Sequence, residues 1–185
     1  RMTAGTHGLG AKLTNIFSSY FKVETVDSTR NKKYIQEFHN NMSEKDKPEI
    51  KDYTKDPYTK ITFKPDYQRF GIEGLDDDNE KMLIKKCYDV SAITPKDVSI
   101  YLNGTKIDIK NLEDYSKLYI KDKTITDIPI LYDRCNTRWE VVVMPSQNEK
   151  YQHVSFVNGV YTSNGGKHVD YIVNQITKKV IEKLK

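Results

Sequence analysis

The stretch Gly5-Thr6-His7-Gly8-Leu9-Gly10-Ala11-Lys12 contains three glycines in six residues and runs directly into Leu13-Thr14-Asn15-Ile16-Phe17. Glycine lets the backbone adopt positive φ and approach a ligand without an intervening Cβ. The segment that follows predicts a helix, because apolar residues recur at steps of three and four along one face. These residues are Leu9, Leu13, Ile16, Phe17 and Tyr20. We therefore expect a glycine turn that opens a helix packed against a core.

A glycine turn at a helix start gathers unpaired backbone N–H groups and the positive end of the helix dipole. Such a point binds anions, phosphate above all, and Lys12 adds a full positive charge one turn in. The spacing differs from a Walker A loop, which ends in Gly-Lys-Ser/Thr. It also differs from a dinucleotide fingerprint, because no strand fits in the four residues before Gly5. On spacing alone, an ordinary turn and a phosphate site both remain open.

Composition limits the class of protein only broadly. The chain of 185 residues can form one domain or two small ones, and its net charge of +4 permits a polyanionic partner without requiring one. Cys87 and Cys135 lack a metal-like spacing, which predicts two reduced thiols in an intracellular protein. No apolar run reaches membrane-spanning length and no signal peptide opens the chain, whose two ends both look cut.

The residues after the first helix predict a sheet. Residues 21–26 and 33–39 alternate apolar with polar side chains, as a strand with one wet face does, and turn residues lie between them. A short strand at 49–53 and a longer one at 58–64 follow, the latter ended by Pro65. Three antiparallel strands behind a helix predict a two-layer α+β sandwich.

The acidic run Asp76-Asp77-Asp78 has two interpretations. Three carboxylates can bind a cation, but they lack the alternate spacing of a calcium loop. Acidic residues also cap the first turn of a helix and match its dipole, and we predict such a helix from this run to about Ile93. Its expected buried side consists of Leu83, Ile84, Cys87, Tyr88 and Val90.

The remaining residues predict a second group of elements. Asn103-Gly104 favours a type I′ hairpin within residues 98–109, and a short helix is expected at 112–119. Residues 121–124 have the composition of a linker, so we place a domain boundary near residue 121.

Three strands and a final helix are expected after that boundary. The strands lie at residues 128–133, at 139–144, which is apolar on both faces and so predicted to be central and buried, and at 151–161, interrupted at Asn158-Gly159. The final helix begins at Lys167. Its last turns carry Lys178, Lys179, Lys183 and Lys185. These lysines either stabilise the helix dipole, by ~0.3–1 kcal/mol each, or contact DNA phosphates.

Residues 1–18 resemble the ATP-lid motif of eukaryotic-type DNA topoisomerase II, which reads roughly Thr-Gly-Gly-Arg-Asn-Gly-x-Gly-Ala-Lys-Leu-x-Asn-Ile-Phe-Ser. Thr6 stands where the family has Arg, and His7 stands where it has Asn. A second likeness is to the family's transducer signature, and residues 58–66 and 101–104 are similar to stretches between the two motifs. That signature is matched by Gln152-His153-Val154-Ser155-Phe156-Val157-Asn158-Gly159 and Gly165-Gly166-Lys167-His168-Val169-Asp170-Tyr171-Ile172.

The resemblance implies that residues 1–120 are the C-terminal half of a GHKL-type ATPase domain, a two-layer α/β sandwich. Residues 121–185 would be the first part of a ribosomal-protein-like α/β transducer domain. The lid backbone would cradle the β- and γ-phosphates of ATP, with Ala11 and Lys12 completing the motif. This assigns phosphate binding to Gly5, Thr6, His7, Gly8, Leu9, Gly10, Ala11 and Lys12.

The resemblance also implies cofactors and partners. ATP is bound with Mg²⁺, whose protein ligand would lie outside this segment, and no residue of the chain matches a catalytic or metal-binding position. In the family, ATP dimerises two ATPase domains and closes a gate over double-stranded DNA. A nuclear location and no membrane contact are expected, and the fragment alone is expected to be inactive.

Two other functions remain open from the sequence. One is a different ATP clamp of the same class, of the mismatch-repair or chaperone type, although the segment from His168 to Ile172 argues against it. The other is a non-catalytic module that binds protein or DNA without nucleotide. The Thr6 position, where the family has Arg, keeps that module open.

Overall fold

The computed structural model describes Gly5 and residues 7–120, 128–146 and 148–185. These residues form two compact units, one from Gly5 to Asp76 and one from Asp77 to Lys185. Both units combine helices with antiparallel strands, which confirms the predicted α+β class. The predicted linker at 121–124 lies outside the described residues, and the boundary near residue 121 stays a prediction. Among the described residues, no helix is both long and apolar enough to cross a bilayer.

The first unit is a helix followed by an antiparallel sheet of five strands. The elements are α1 (Leu9–Ile16), β1 (Ser18–Asp27), β2 (Lys32–His39), β3 (Glu44–Lys45), β4 (Glu49–Asp52), β5 (Thr59–Pro65) and a 3₁₀ turn (Gln68–Phe70). The strands run in the order β3-β2-β1-β5, and β4 also pairs with β2. The predicted strands at 21–26, 33–39, 49–53 and 58–64 are therefore confirmed.

The register of β1 separates an apolar face of this sheet from a charged one. Phe21 lies directly between Phe38 on β2 and Phe63 on β5, and it is buried. Side chains alternate along a strand, so the next residue, Lys22, points to the opposite face. There it forms an ion pair with Glu37, with Nζ and Oε1 3.0 Å apart. One face of the sheet is therefore apolar and suited to burial, and the other is charged and suited to contact with water.

Helix α1 differs from its prediction in length and in packing. It ends at Ile16, because β1 already begins at Ser18, which pairs with Pro65 of β5. Tyr20, predicted on the helix, is therefore a strand residue. Leu9 and Leu13 are 52% and 49% exposed, whereas Asn15 is 5% exposed. The predicted burial of the apolar stripe is wrong within the described chain.

The turn between β1 and β2 is held by the carboxylate of Asp27. Its Oδ1 accepts hydrogen bonds from the Thr29 hydroxyl at 2.6 Å and the Thr29 N–H at 2.9 Å, and its Oδ2 accepts one from Arg30 Nη1 at 2.6 Å. The hydrogen bonds from the side chains of Thr29 and Arg30 lower the pKa of the Asp27 carboxyl from 3.8 to about 2. Because the pKa of Asp27 is lowered by folding, the ionised carboxylate stabilises this turn at pH values above the ordinary carboxyl pKa. That stability is lost as the pH falls toward 2.

The hydroxyl of Thr29 sets this pKa, so we expect Thr29→Ala to raise the pKa of Asp27 toward its ordinary value. Thr29→Ser keeps a hydroxyl and should leave the pKa low. Carboxyl carbon chemical shifts followed by NMR between pH 6 and 1.5 measure both variants. Equal pKa values in the two variants would contradict the role of the hydroxyl.

Within the described residues, the second unit consists of two long helices, one short helix and three antiparallel pairs of strands. Helix α2 begins with Asp77 and Asp78 in its first turn, as predicted for acids at a helix start. Asn103 and Gly104 both have positive φ, 49° and 80°, as a type I′ turn requires. The elements are α2 (Asp77–Ile93), β6 (Tyr101–Leu102), β7 (Thr105–Lys106), α3 (Leu112–Ser116), a 3₁₀ turn (Lys117–Tyr119), β8 (Leu131–Asn136), β9 (Trp139–Val143), β10 (Phe156–Val157), β11 (Val160–Tyr161) and α4 (Lys167–Leu184).

Three predictions for this unit are corrected. Leu83 and Val90 are exposed, and the buried residues of α2 are instead Asp89, Ser91 and Ala92. In the described residues β9 pairs with β8 alone, so it is not a central strand. Residues 156–161 form a hairpin rather than one interrupted strand, because Asn158 and Gly159 both have positive φ and reverse the chain.

A buried carboxylate explains the unexpected inner side of α2. Asp89 is 3% exposed, and its Oδ1 accepts hydrogen bonds from Lys85 Nζ at 2.8 Å and from the Tyr115 hydroxyl at 2.6 Å. The Tyr115 hydroxyl lies 2.9 Å from that of Tyr119. Burial, and then the hydrogen bond to Asp89, raise the pKa of Tyr115 far above its ordinary value, so this donor stays protonated. A buried charge needs such partners, and they hold α2 to α3.

Removing the Tyr115 hydroxyl should leave Asp89 short of a buried donor. We expect Tyr115→Phe to lower the free energy of unfolding by about 1–3 kcal/mol, as loss of a partner from a buried charged group does. Tyr119→Phe is the matched control, because its hydroxyl does not bond Asp89, and it should cost about 1 kcal/mol or less. Urea unfolding measures both. A Tyr119→Phe loss as large as that of Tyr115→Phe would show that Asp89 does not depend on Tyr115.

Candidate phosphate-binding lid

The start of α1 has the backbone shape that a glycine turn permits. Gly8 immediately precedes the helix and has φ 64° and ψ 21°, in the left-handed region. The N-cap residue Gly8 makes no side-chain capping hydrogen bond, and the first turn of α1 contains no acidic residue. The N–H groups of that turn and the positive end of the helix dipole are therefore not neutralised by a carboxylate of the helix itself.

The backbone around this turn is open to approach. A Cβ built at Gly5, Gly8 or Gly10 would meet no heavy atom within 4 Å. Gly5 and residues 7–12 are all exposed. Seven of the eight residues assigned to phosphate binding thus lie at the start of α1, and the eighth, Thr6, lies outside the described residues. Their phosphate contacts stay a prediction.

Lys12 supplies the positive charge of this stretch. It is exposed and lies one turn into α1, where it forms no ion pair with any residue that the structure describes. Together with Ala11 and Asn15 it borders an open cavity of about 230 Å³ between α1 and the apolar face of the sheet. The opposite side of the cavity is lined by Phe21, Val23, Tyr34, Gln36, Phe38 and Met42.

The other end of α1 is firmly anchored. Asn41 Nδ2 donates to the Ile16 carbonyl and to Asp66 Oδ2, both at 3.0 Å. The Phe17 ring stacks on Phe70 with centroids 5.5 Å apart, and the Arg69 guanidinium lies 5.1 Å from the centre of the Phe17 ring. Sequence reasoning missed Asn41, and only its place in the polar pair Asn40-Asn41 pointed to a turn residue. The helix thus combines a fixed carboxyl end with an open amino end.

Known proteins match the chain along its whole length. DNA topoisomerase 2 of Saccharomyces cerevisiae is 43% identical over 200 residues, covering 100% of this chain and 14% of that protein. The crystal structure of the ATPase region of Saccharomyces cerevisiae topoisomerase II superposes with a TM-score of 0.88 and 45% identity, covering 100% of this chain and 48% of the other. The chain belongs to the eukaryotic-type DNA topoisomerase II family.

Two further matches agree with this family. The ATPase and transducer domains of DNA topoisomerase II from Balamuthia mandrillaris superpose with a TM-score of 0.86 and 36% identity, covering 99% of this chain and 46% of the other. The sequence profile of the family DNA gyrase B matches residues 111–185. The chain spans about half the length of each solved topoisomerase II ATPase region and 14% of the length of the yeast protein.

The second topoisomerase II motif has a steric explanation. Gly165 and Gly166, which precede α4, have φ of 68° and 145°. A Cβ on Gly165 would lie 3.0 Å from His153 Nε2, and one on Gly166 would lie 3.2 Å from His168 Cε1. The His168 ring in turn lies within hydrogen-bond distance, 3.2 Å, of the Thr162 hydroxyl. The two glycines therefore leave room for the two histidines of the same motif.

Gly8 and Gly10, at the start of α1, should respond differently to substitution by alanine. Gly8 has positive φ, so we expect Gly8→Ala to cost about 1 kcal/mol of unfolding free energy. Gly10 lies inside α1 with helical geometry and free space, so Gly10→Ala should be neutral or stabilising by up to about 1 kcal/mol. Chemical denaturation measures both. Equal losses would contradict the left-handed geometry at Gly8.

Proposed function

We propose that the chain is part of the ATP-operated gate of a type II DNA topoisomerase and that residues 5–12 bind the phosphates of ATP. The observation that carries this proposal is the start of α1. A left-handed glycine at the N-cap, a first turn without acidic residues, and Lys12 coincide with the stretch that resembles the family's ATP lid. This combination offers several N–H donors and one cation to an anion.

Backbone groups would do most of the binding. The N–H donors of the glycine turn can converge on the β- and γ-phosphates because no side chain crowds Gly8 or Gly10. Thr6 and His7 replace the family's Arg and Asn. Both retain hydrogen-bond donors, but the fixed charge of Arg is lost, which leaves Lys12 as the cation of the lid.

Magnesium fits this stretch less well than phosphate does. A Mg²⁺ ion is held by carboxylate or amide oxygens together with substrate phosphates, and no carboxylate lies in the first turn of α1. We therefore place the Mg²⁺ ligand in the part of the protein outside this segment. When bound, the ion would neutralise phosphate charge, and the role of the residues in this chain would be to bind and orient the phosphates.

The gate would act through dimerisation. Phosphate contacts at the amino end of α1 would fix the lid, whose carboxyl end is already held to the sheet through Asn41 and Phe17. A fixed lid would favour the closed form of a homodimer, and closure would capture a DNA duplex for strand passage. The parent protein would then be a nuclear, ATP-hydrolysing topoisomerase that acts on double-stranded DNA.

The proposal is tested on the parent protein with its complete ATPase region. We expect a non-hydrolysable ATP analogue with Mg²⁺ to shift it from monomer to dimer in light scattering. Gly10→Val should abolish this shift, because its side chain would occupy the space that a phosphate needs, while the open surroundings of Gly10 let the fold persist.

Gly74→Val is the matched control. Gly74 also has free space around its Cβ and no positive φ, but it lies outside the lid, so this variant should dimerise like the wild type. Normal dimerisation of Gly10→Val would refute the lid assignment. A wild-type protein whose association ignores nucleotide would instead favour the non-catalytic interaction module.

A further inference from the structure

A second cluster of ligand atoms lies on the charged face of the first sheet. Glu37 and His39 are two residues apart on β2, so their side chains share this face. Asp46 immediately follows β3 and approaches them from the neighbouring strand. One ligand atom from each residue, a carboxylate oxygen or an imidazole nitrogen, lies within 4.8 Å of the other two.

The backbone holds these three residues in place. The N–H of Asp46 donates to the carbonyl of Glu37 at 3.1 Å, and Gln36 Nε2 donates to the carbonyl of Asp46 at 3.2 Å. His39 lies directly opposite Glu44, the first residue of β3. The main chain of Asp46 is thus fixed relative to β2 by one backbone and one side-chain donor, independently of the Asp46 carboxylate.

The separation of the ligand atoms suits a small divalent ion. His39 Nε2 and Asp46 Oδ2 lie 3.4 Å apart and form a hydrogen bond, which a bound ion would replace. Two ligands that bind a tetrahedral ion at about 2.0–2.1 Å each are about 3.3–3.4 Å apart, by the geometry of zinc sites. The Glu37 and His39 side chains are partly exposed and Asp46 is exposed, so an ion can enter from solvent and keep water at a fourth position.

We propose that Glu37, His39 and Asp46 bind a divalent transition-metal ion, for which Zn²⁺ is the reference. A set of one imidazole and two carboxylates is typical of Zn²⁺ and its neighbours, whereas Mg²⁺ and Ca²⁺ prefer oxygen alone. The proposal is independent of the ATP lid, because none of the three residues belongs to residues 5–12.

Lys22 competes with the metal for Glu37. Its Nζ lies 3.0 Å from Glu37 Oε1, while the Tyr20 hydroxyl donates to Oε2 at 2.9 Å. The Lys22 ammonium repels an incoming cation, and it therefore limits the affinity of the site.

The metal would link the two strands that flank a tight turn. Asn40, Asn41 and Met42, between His39 and Asp46, have φ of 48°, 60° and 68°, a left-handed run that L-residues rarely adopt. A bond from the metal to each side of this turn would oppose its unfolding. Because Asn41 also binds the Ile16 carbonyl, the metal would stabilise the anchor of α1.

The test uses the 185-residue chain and Zn²⁺ alone, titrated by calorimetry at pH 7.5 in the presence of a non-chelating reductant. We expect one site, and we expect His39→Gln and Asp46→Asn to weaken it at least about tenfold. Lys22→Met should tighten it roughly tenfold, as removal of a nearby like charge does. Asp52→Asn is the matched control, because Asp52 lies on β4 of the same sheet and pairs with Lys32, and it should not change the affinity.

Side-chain NMR of the histidines locates the ion. Zn²⁺ should shift the His39 imidazole resonances before those of the other histidines. Circular dichroism checks that each variant is folded. Three results would overturn the proposal. The first is Zn²⁺ binding of unchanged affinity by a folded His39→Gln variant, and the second is chemical-shift changes centred on another histidine or a cysteine. The third is a Lys22→Met variant that does not bind Zn²⁺.

Discussion

The pairing of β1 on both of its edges is the constraint on which the first unit depends. Because β2 and β5 are both registered against it, every side chain of the sheet is assigned to one face or the other. Phe21 is buried on one face, and Lys22 pairs with Glu37 on the opposite one. A shift of one residue in this register would exchange the two faces, burying charge and exposing aromatic rings. Helix α1 and the cluster around His39 therefore both depend on the same hydrogen-bonded ladder.

The two ends of α1 differ in how firmly they are held. Its carboxyl end is tied to the sheet by Asn41 and by the stacking of Phe17 on Phe70, so movement there is restrained. At its amino end Gly8 makes no side-chain capping hydrogen bond, and a Cβ at Gly8 or Gly10 would meet no heavy atom within 4 Å. Exposed N–H groups stay available for a ligand only if the helix that presents them does not turn away. Helix α1 is thus fastened to the sheet at its carboxyl end, and its exposed N–H groups lie at the opposite end.

Local signals in the sequence predicted much of this architecture, whereas long-range burial escaped them. The Asn103-Gly104 turn and the alternation along β1 and β2 follow from the preferences of neighbouring residues, so both were predicted correctly. The buried side of α2 was predicted wrongly. Asp89 can be buried there because it accepts a hydrogen bond from Tyr115, which lies 26 positions away in the sequence. The glycines of the lid were evident from their spacing. Asn41, which anchors the helix behind them, carries no pattern that distinguishes it from a loop residue.

The edge position of strand β5 affects the tendency of the chain to aggregate while it folds. It lies at the edge of the sheet in the described part of the chain and carries the exposed Phe63. An edge strand with an exposed aromatic ring is a template for pairing with other molecules. The same strand also carries Lys60 and Lys64 and ends in Pro65, which lacks an N–H donor. The lysine charges and the proline oppose edge-to-edge association. Strand β5 therefore carries an exposed aromatic side chain that favours aggregation together with residues that oppose it.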